Sequence, residues 1–176
     1  MISSTIQNLY EKYRSKGLLV DSNLLLVYFI GQYDRALLSK YERTRAFDDD
    51  SFFLLVNFIR SFKKIVTTPN ILTEVSNLSN KLKGDMRLAY FDSLVRQVDL
   101  TEECYLRSSE LSRDPYFNKL GLTDISVMHA SRNLYLVLTD DFLLSNYLTK
   151  QGQAAVNFNH LRQISWGTEK KGDRFI

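Results

Sequence analysis

Three short runs of apolar residues, LLV at 18–20, KIVT at 64–67 and LYLVLT at 134–139, end abruptly at polar residues and give way to stretches with helical signals; a fourth, AAVNF, begins at residue 154. Runs of this kind are continuously apolar instead of alternating, so the strands they form are buried on both faces. That is the condition of a parallel sheet covered by helices. Parallel strands need helical crossovers, and the intervening sequence supplies them. Ile6, Leu9, Tyr10 and Tyr13 predict a helix over 4–16 that stops at Gly17. Ser22–Ile30 reads as a helix stopped near Gly31. Residues 32–50 are charge-rich and predict a helix followed by an exposed acidic turn at Asp48, Asp49 and Asp50, after which Ser51 caps FFLLVNFIRSF.

Farther along, Thr68 caps a helix with Pro69 in its first position, where a missing N–H costs nothing. Glu74 then lies about a turn and a half in. Gly84 separates this helix from DMRLAYFDSLVRQ, and Val98–Leu100 reads as a third strand. A helix is expected from Thr101 to about Arg113. After Asp114 and Pro115 the connection YFNKLG leads into LTDISVMHASR, a helix capped at Thr123 or Asp124. DDFLLSNYLTKQG is a helix closed by Gly152. The expected fold class is therefore α/β, with three layers and a central, mostly parallel sheet. At 176 residues the chain suits one domain. It divides into a helical extension at 1–17, a main domain at 18–160 with a polar insertion at 31–50, and a tail at 161–176.

In such a fold the carboxyl ends of the strands share one edge, where ligands bind. Asp21 ends the first strand, and Asp140 and Asp141 end LYLVLT. Asp124 and Glu74 lie early in helices that begin near the same edge. Asp21 and Asp124, taken alone, read equally well as helix caps. Glu74 lies beyond the first turn, where capping and dipole effects fade. Asp48, Asp49 and Asp50 form the densest acidic run but have no strand end behind them.

The order VDSN, TPNILTEV, GLTDISVMHAS and VLTDDF resembles the PIN domain, a family of metal-dependent ribonucleases that includes the VapC-like toxins of toxin–antitoxin pairs. The resemblance covers roughly residues 18–160. It implies that Asp21, Glu74, Asp124 and Asp141 form a metal-binding acidic quartet, with Asp140 able to share the place of Asp141. It also implies that Asn23, Thr123 and Thr139 support the acids by hydrogen bonds. The activity it implies is metal-dependent hydrolysis of RNA phosphodiester bonds; an inactive PIN-like module for binding nucleic acid or protein is the alternative. RNA is the expected partner, and an antitoxin protein and a homodimer are left open.

The donor set agrees with such chemistry. Clustered carboxylates repel one another unless protonated or neutralised by a cation, and hard oxygen donors without a Cys or His cluster favour Mg²⁺ or Mn²⁺ over Zn²⁺. Ser22 and Ser126 lack an evident His base, and His129 falls on a mostly apolar face, which suggests a structural role. Cys104, the lone cysteine, cannot close an internal disulfide and reads as a small apolar residue. No membrane span is expected, because the longest apolar stretches are broken well short of ~20 residues. The polar N-terminal stretch with Glu11 is unlike a secretory signal, so a cytoplasmic location is expected. The net charge of +3 permits an anionic partner without requiring one. Lys63 with Lys64 and Lys170 with Lys171 read as solvated pairs, whereas Lys40, Arg43 and Arg45 are the candidates for gripping an RNA backbone beside Asp21.

Overall fold

The structure, a computed structural model, describes residues 2–169, so Lys170 and Lys171 lie outside the described residues. Five parallel strands form one sheet: β1 (Leu18–Val20), β2 (Ile65–Thr67), β3 (Thr101–Glu103), β4 (Leu136–Thr139) and β5 (Ala155–Asn157), in the order β3-β2-β1-β4-β5. The fold is a three-layer α/β/α arrangement, as the apolar runs predict. The chain travels outward from β1 to β2 and β3, then returns to the far side of β1 for β4 and β5. The strand order thus reverses between β1 and β4, which register Leu18 to Leu136 and Val20 to Leu138. A topological switch point of this kind opens a crevice beyond the strand ends.

The first crossovers carry α2 (Ser22–Tyr33), α3 (Asp49–Arg60), α4 (Pro69–Ser79) and α5 (Gly84–Val98), with α2 packed against the other three. The return path carries α6 (Ser108–Leu111), α7 (Phe117–Ser131) and α8 (Phe142–Lys150), which pack in sequence. Right-handed crossovers put these two sets on opposite faces. The helix α1 (Ile2–Tyr13) precedes the sheet and contacts β4, and α9 (Phe158–Glu169) follows it and contacts α3. The segment expected as a tail therefore begins as a helix. Among the described residues no helix is long and apolar enough to cross a membrane.

Several local expectations are corrected. Gly31 does not stop α2, which runs on to Tyr33. A Cβ at Gly31 would fall inside the Phe52 ring, so this glycine permits the close approach of α2 and α3. Residues 34–47 form no regular α-helix. Asp34 caps a single 3-10 turn at Arg35–Leu37, and Thr44 Oγ1 then donates to the carbonyl of Leu38 at 2.9 Å, competing with helical pairing. The acidic run is exposed, as expected, but it starts the helix and is not a turn before it. Asp48 is itself the cap, accepting from Ser51 N at 2.9 Å, and Asp49 and Asp50 occupy the first turn of α3, where negative charge suits the helix dipole.

The third strand lies at 101–103, not at 98–100, and the helix expected from Thr101 to Arg113 is replaced by that strand, a loop and the single turn of α6. β3 is an edge strand of sequence TEE and carries no apolar signal. The loop called YFNKLG is already helical from Phe117, and Gly121, at φ 79°, interrupts α7 so that its second segment starts just before Thr123. Cys104 continues the pairing of β3 by donating its N–H to Thr67 O at 2.8 Å; burial raises its thiol pKa, in keeping with an unreactive role.

The packing at Gly31 is testable. Gly31→Ala forces the Phe52 ring out of its place, and we expect a loss of about 1–3 kcal/mol in urea unfolding, the usual cost of overpacking. An unchanged midpoint would show that the α2–α3 contact has slack.

Candidate functional site

At the switch point the chain passes from β1 directly into Asp21, the N-cap of α2, and from β4 through Thr139 and Asp140 into Asp141, the N-cap of α8. Both strand ends are locked together, since Asp21 N donates to Leu138 O at 3.0 Å. Asp21 is only 5% exposed. Its Oδ1 accepts from Ser22 N at 2.7 Å, and its Oδ2 accepts from the Thr139 hydroxyl at 2.7 Å. The same Thr139 Oγ1 accepts from Asp141 N at 2.9 Å, so one hydroxyl positions two acids.

Glu74 arrives from α4, whose start is fixed by the Thr68 cap and Pro69. Its Oε2 accepts from Ser22 Oγ at 3.0 Å. Asp124 arrives from the second segment of α7, which is tied to the start of α4 by a 2.9 Å hydrogen bond between Ser126 Oγ and Thr68 Oγ1. Asp141 Oδ1 accepts from Leu143 N at 2.6 Å and Leu144 N at 3.0 Å.

The electrostatics show that these acids feel one another. Burial pushes the pKa of Asp21 up to about 6, against the lowering effect of its two hydrogen bonds, and the charges of Asp140 and Glu74 add to the rise. Asp124 is pushed up to about 7, first by burial and then by Asp21, Asp141 and Glu74. Its carboxylate accepts no hydrogen bond among the described residues, which makes it the least tethered of the four. Asp140 is raised, chiefly by burial, with a hydrogen bond from Asn23 and the charge of Arg162 acting in the opposite sense. Its Oδ1 is buried with no partner among the described residues.

The four acids named from the sequence are thus coupled at one strand edge. They stand at electrostatic range: among the described residues no three carboxylate, imidazole or thiolate groups are gathered closely enough to close on one ion as they stand. The neighbouring acids divide their roles, Asp141 acting on Asp124 and Asp140 on Asp21. Of the expected supports, Thr139 holds Asp21, while Asn23 acts on Asp140 only by opposing the rise in its pKa. Thr123 contributes its backbone carbonyl, which accepts from Ser126 Oγ at 2.7 Å.

The cations of the insertion lie among other charged groups. Arg43 and Arg45 act on Glu42, which pairs with Lys81 at 2.8 Å just past the far end of α4, and Tyr41 OH donates to Leu78 O there. Lys40 is exposed. Arg162 of α9 instead exerts its charge on Asp140 and Asp48, with its guanidinium 5.5 Å from the Phe47 ring centre and donating to Ala46 O at 3.3 Å. Ser22 and Arg162 are the two members that sequence reasoning missed. Ser22 was read only as the start of a helix and as a serine without a His base, and nothing in the chain marks Arg162. His129 is structural: its Nε2 lies 2.6 Å from Asp114 Oδ2, and Arg132 donates to its Nδ1 at 2.6 Å.

No family model and no curated protein matches the chain.

Asp21 and Asp124 bind protons more tightly in the folded protein than their ordinary value of 3.8 allows, so acid favours folding over the window between that value and about 6 to 7. In EDTA, stability should therefore rise as pH falls from about 7 to about 4 through these two groups. Urea unfolding across that range, with the Asp21→Asn, Asp124→Asn double variant as reference, checks this. The variant should show a flatter profile, and parallel profiles would remove the coupling.

Proposed function

We propose that this chain is a metal-dependent endoribonuclease that hydrolyses RNA phosphodiester bonds. The observation that carries the reading is the buried carboxyl of Asp21 and the half-buried carboxyl of Asp124, both raised in pKa and both feeling the charge of Glu74 at the switch point, with Asp141 also acting on Asp124. Carboxyls raised in this way cluster at functional sites, because burying charge without a partner costs stability that structure alone does not demand. The order of the four motifs, similar to a PIN domain, supports the same reading.

The chemistry of the donors suits a divalent cation, which would have to draw the carboxylates closer than they stand. The donors are all hard oxygens, Asp140 Oδ1 is a buried acceptor in want of a partner, and positive charge would reverse the repulsion that raises Asp124. Asp21, Glu74, Asp124 and Asp141 would hold Mg²⁺ or Mn²⁺, with Asp140 beside them. Bound there, the cation supplies Lewis-acid stabilisation of a phosphodiester and acidifies a water at neutral pH. The chain's own part is orientation. Ser22 N and Thr139 fix both oxygens of Asp21, Ser22 Oγ turns Glu74 toward it, and the α8 N-terminus fixes Asp141. Asp124, which accepts no hydrogen bond among the described residues, would give up its proton near neutrality. Arg162 places positive charge at the rim, where an RNA backbone would need it. A cytoplasmic location belongs to this reading, and an antitoxin protein or a second copy of the chain remains open as a partner.

The wider spacing of the carboxylates favours a second reading, a module that binds nucleic acid without cutting it. Incubation of single-stranded and structured RNAs with Mn²⁺, Mg²⁺ or EDTA separates the two. Cleavage that EDTA abolishes is expected, and RNA left whole in both metals would leave only the binding module.

Two variants sharpen the test. Asp124→Asn should cut cleavage by more than about 100-fold, since even outer hydrogen-bond partners of metal ligands are worth about 10- to 100-fold. Thr139→Val, which unpins Asp21 and frees Asp141 N, should weaken metal binding by about that smaller range. Thermal shift supplies an independent readout: Mn²⁺ at ~100 times its dissociation constant stabilises by about 2.7 kcal/mol. Wild type and Asp124→Asn with the same Mn²⁺-induced shift would dissociate Asp124 from the metal.

A further inference from the structure

A cavity of about 540 Å³ runs along the outer edge of β5, walled by α1 on one side and α8 on the other. Its position relates it to the acids. Phe142, the first residue of α8, follows Asp141 directly, lines the cavity and is 65% exposed. Asn157, also in the lining, registers opposite Thr139, the residue that holds Asp21. Only β4 separates β5 from β1, and adjacent strands lie about 4.8 Å apart, so the floor of the cavity ends two strand spacings, about 10 Å, from the end of β1 that carries Asp21.

Scattered exposed aromatics are ordinary on protein surfaces. Phe142 differs in standing between a concave pocket and a cluster of acids. The chemistry of the pocket is mixed. Ile6 and Val156 supply apolar wall, while Asn146 and His160 present exposed polar groups. Asn157 is 4% exposed; its Oδ1 accepts from Asn159 N at 3.0 Å, and its Nδ2 has no partner among the described residues. A flat ligand with a π-face and an edge of donors and acceptors matches this combination. Side-chain amides read base edges, and aromatic faces stack unpaired bases in single-stranded RNA.

We propose that this cavity is a base-binding subsite: it takes the nucleobase of a nucleotide adjoining the phosphate at the acids, stacked on Phe142 and read at its edge by Asn146, over a floor that Asn157 closes. The inference rests on the ribonuclease reading for the polarity of the strand across the site. It adds a source of sequence preference that the acids cannot provide, since carboxylates and phosphate contacts carry no base information.

The test is binding of fluorescein-labelled hexaribonucleotides of A, C, G and U to the full chain, followed by anisotropy in EDTA, where metal-dependent cleavage does not run. Wild type should prefer one or two of the four. Phe142→Ala should weaken the preferred hexamer about tenfold, in line with stacking energies of ~1–3 kcal/mol per base, and Phe142→Trp should retain it. Asn146→Leu should narrow the differences among the four. Both positions are exposed, so melting midpoints should stay within a degree or two of wild type, by the small effect of surface substitutions.

Parallel cleavage assays with Mn²⁺ keep the two readings apart. If wild type cuts RNA but both Phe142→Ala and Asn146→Leu bind all four hexamers as wild type does, the subsite is overturned and the nuclease stands. If wild type cuts nothing but Phe142→Ala loses the preferred hexamer, the nuclease reading falls and the cavity stands as an RNA-binding site. Failure of wild type to bind any hexamer overturns the subsite.

Discussion

The structure turns on the burial of Asp21 between the ends of two neighbouring strands. A parallel sheet places every strand's carboxyl end on one edge, and the reversal of strand order sets β1 and β4 side by side with their connections leaving in opposite directions. Asp21 is drawn into that gap and held by Ser22 N and Thr139 Oγ1. Thr139 also fixes the backbone of Asp141, so the relative positions of two acids from opposite crossovers reduce to a single hydroxyl. This arrangement depends on the pairing of Val20 with Leu138. A one-residue slip would turn Thr139 to the other face of the sheet and leave Asp21 buried without its strongest side-chain partner.

A buried acid with like-charged neighbours opposes folding, and the surrounding fold has to overcome that opposition. The central position of α2 shows how. Leu24, Leu25, Leu26, Val27, Phe29 and Ile30 are all buried, so the helix that starts from Asp21 is enclosed on most sides. Each fully buried side chain of this kind contributes about 1.5–3 kcal/mol relative to exposure. The acid is therefore anchored at the start of one of the best-packed elements. Asp124 has no such anchor at its carboxylate, which accepts no hydrogen bond among the described residues.

The strands were legible where burial on both faces demanded an unbroken apolar run, as in LLV and LYLVLT. β3 escaped notice because an edge strand exposes TEE to water and needs no such run, while the nearby VDL offered a false one. Gly31 was ambiguous in principle: a glycine can end a helix or let another element come close, and only Phe52 decides which. Ser51 and Asp48 competed for the same cap, and the geometry of three residues' separation from Asp48 to Ser51 N settled it. In the site, the acids could be read from their places at strand ends and helix starts, which follow from chain order. Their partners could not. Ser22 meets Glu74 across 52 residues and Thr139 meets Asp21 across 118, separations at which only packing brings side chains together. Thr139 was reached through a motif, not through periodicity.

The polar insertion acquires a role from α9 that its own charges did not suggest. Phe47 stacks on Phe158 with ring centres 5.9 Å apart, Arg162 donates to Ala46 O, and Asn159 Nδ2 donates to Asp140 O at 3.2 Å. The first two turns of α9 thus fasten the end of the insertion to the end of β4, and Arg162 brings one positive charge to a group of five carboxyls. One cation leaves most of that negative charge uncompensated. At neutral pH a proton on Asp124, whose pKa is about 7, supplies part of the remainder. A divalent cation would draw on the same carboxyl and would have to displace that proton. On the proposed reading metal and acid would compete for one site, and affinity for metal would follow the ionisation of Asp124 and Asp21 instead of the lower values usual for exposed carboxylates.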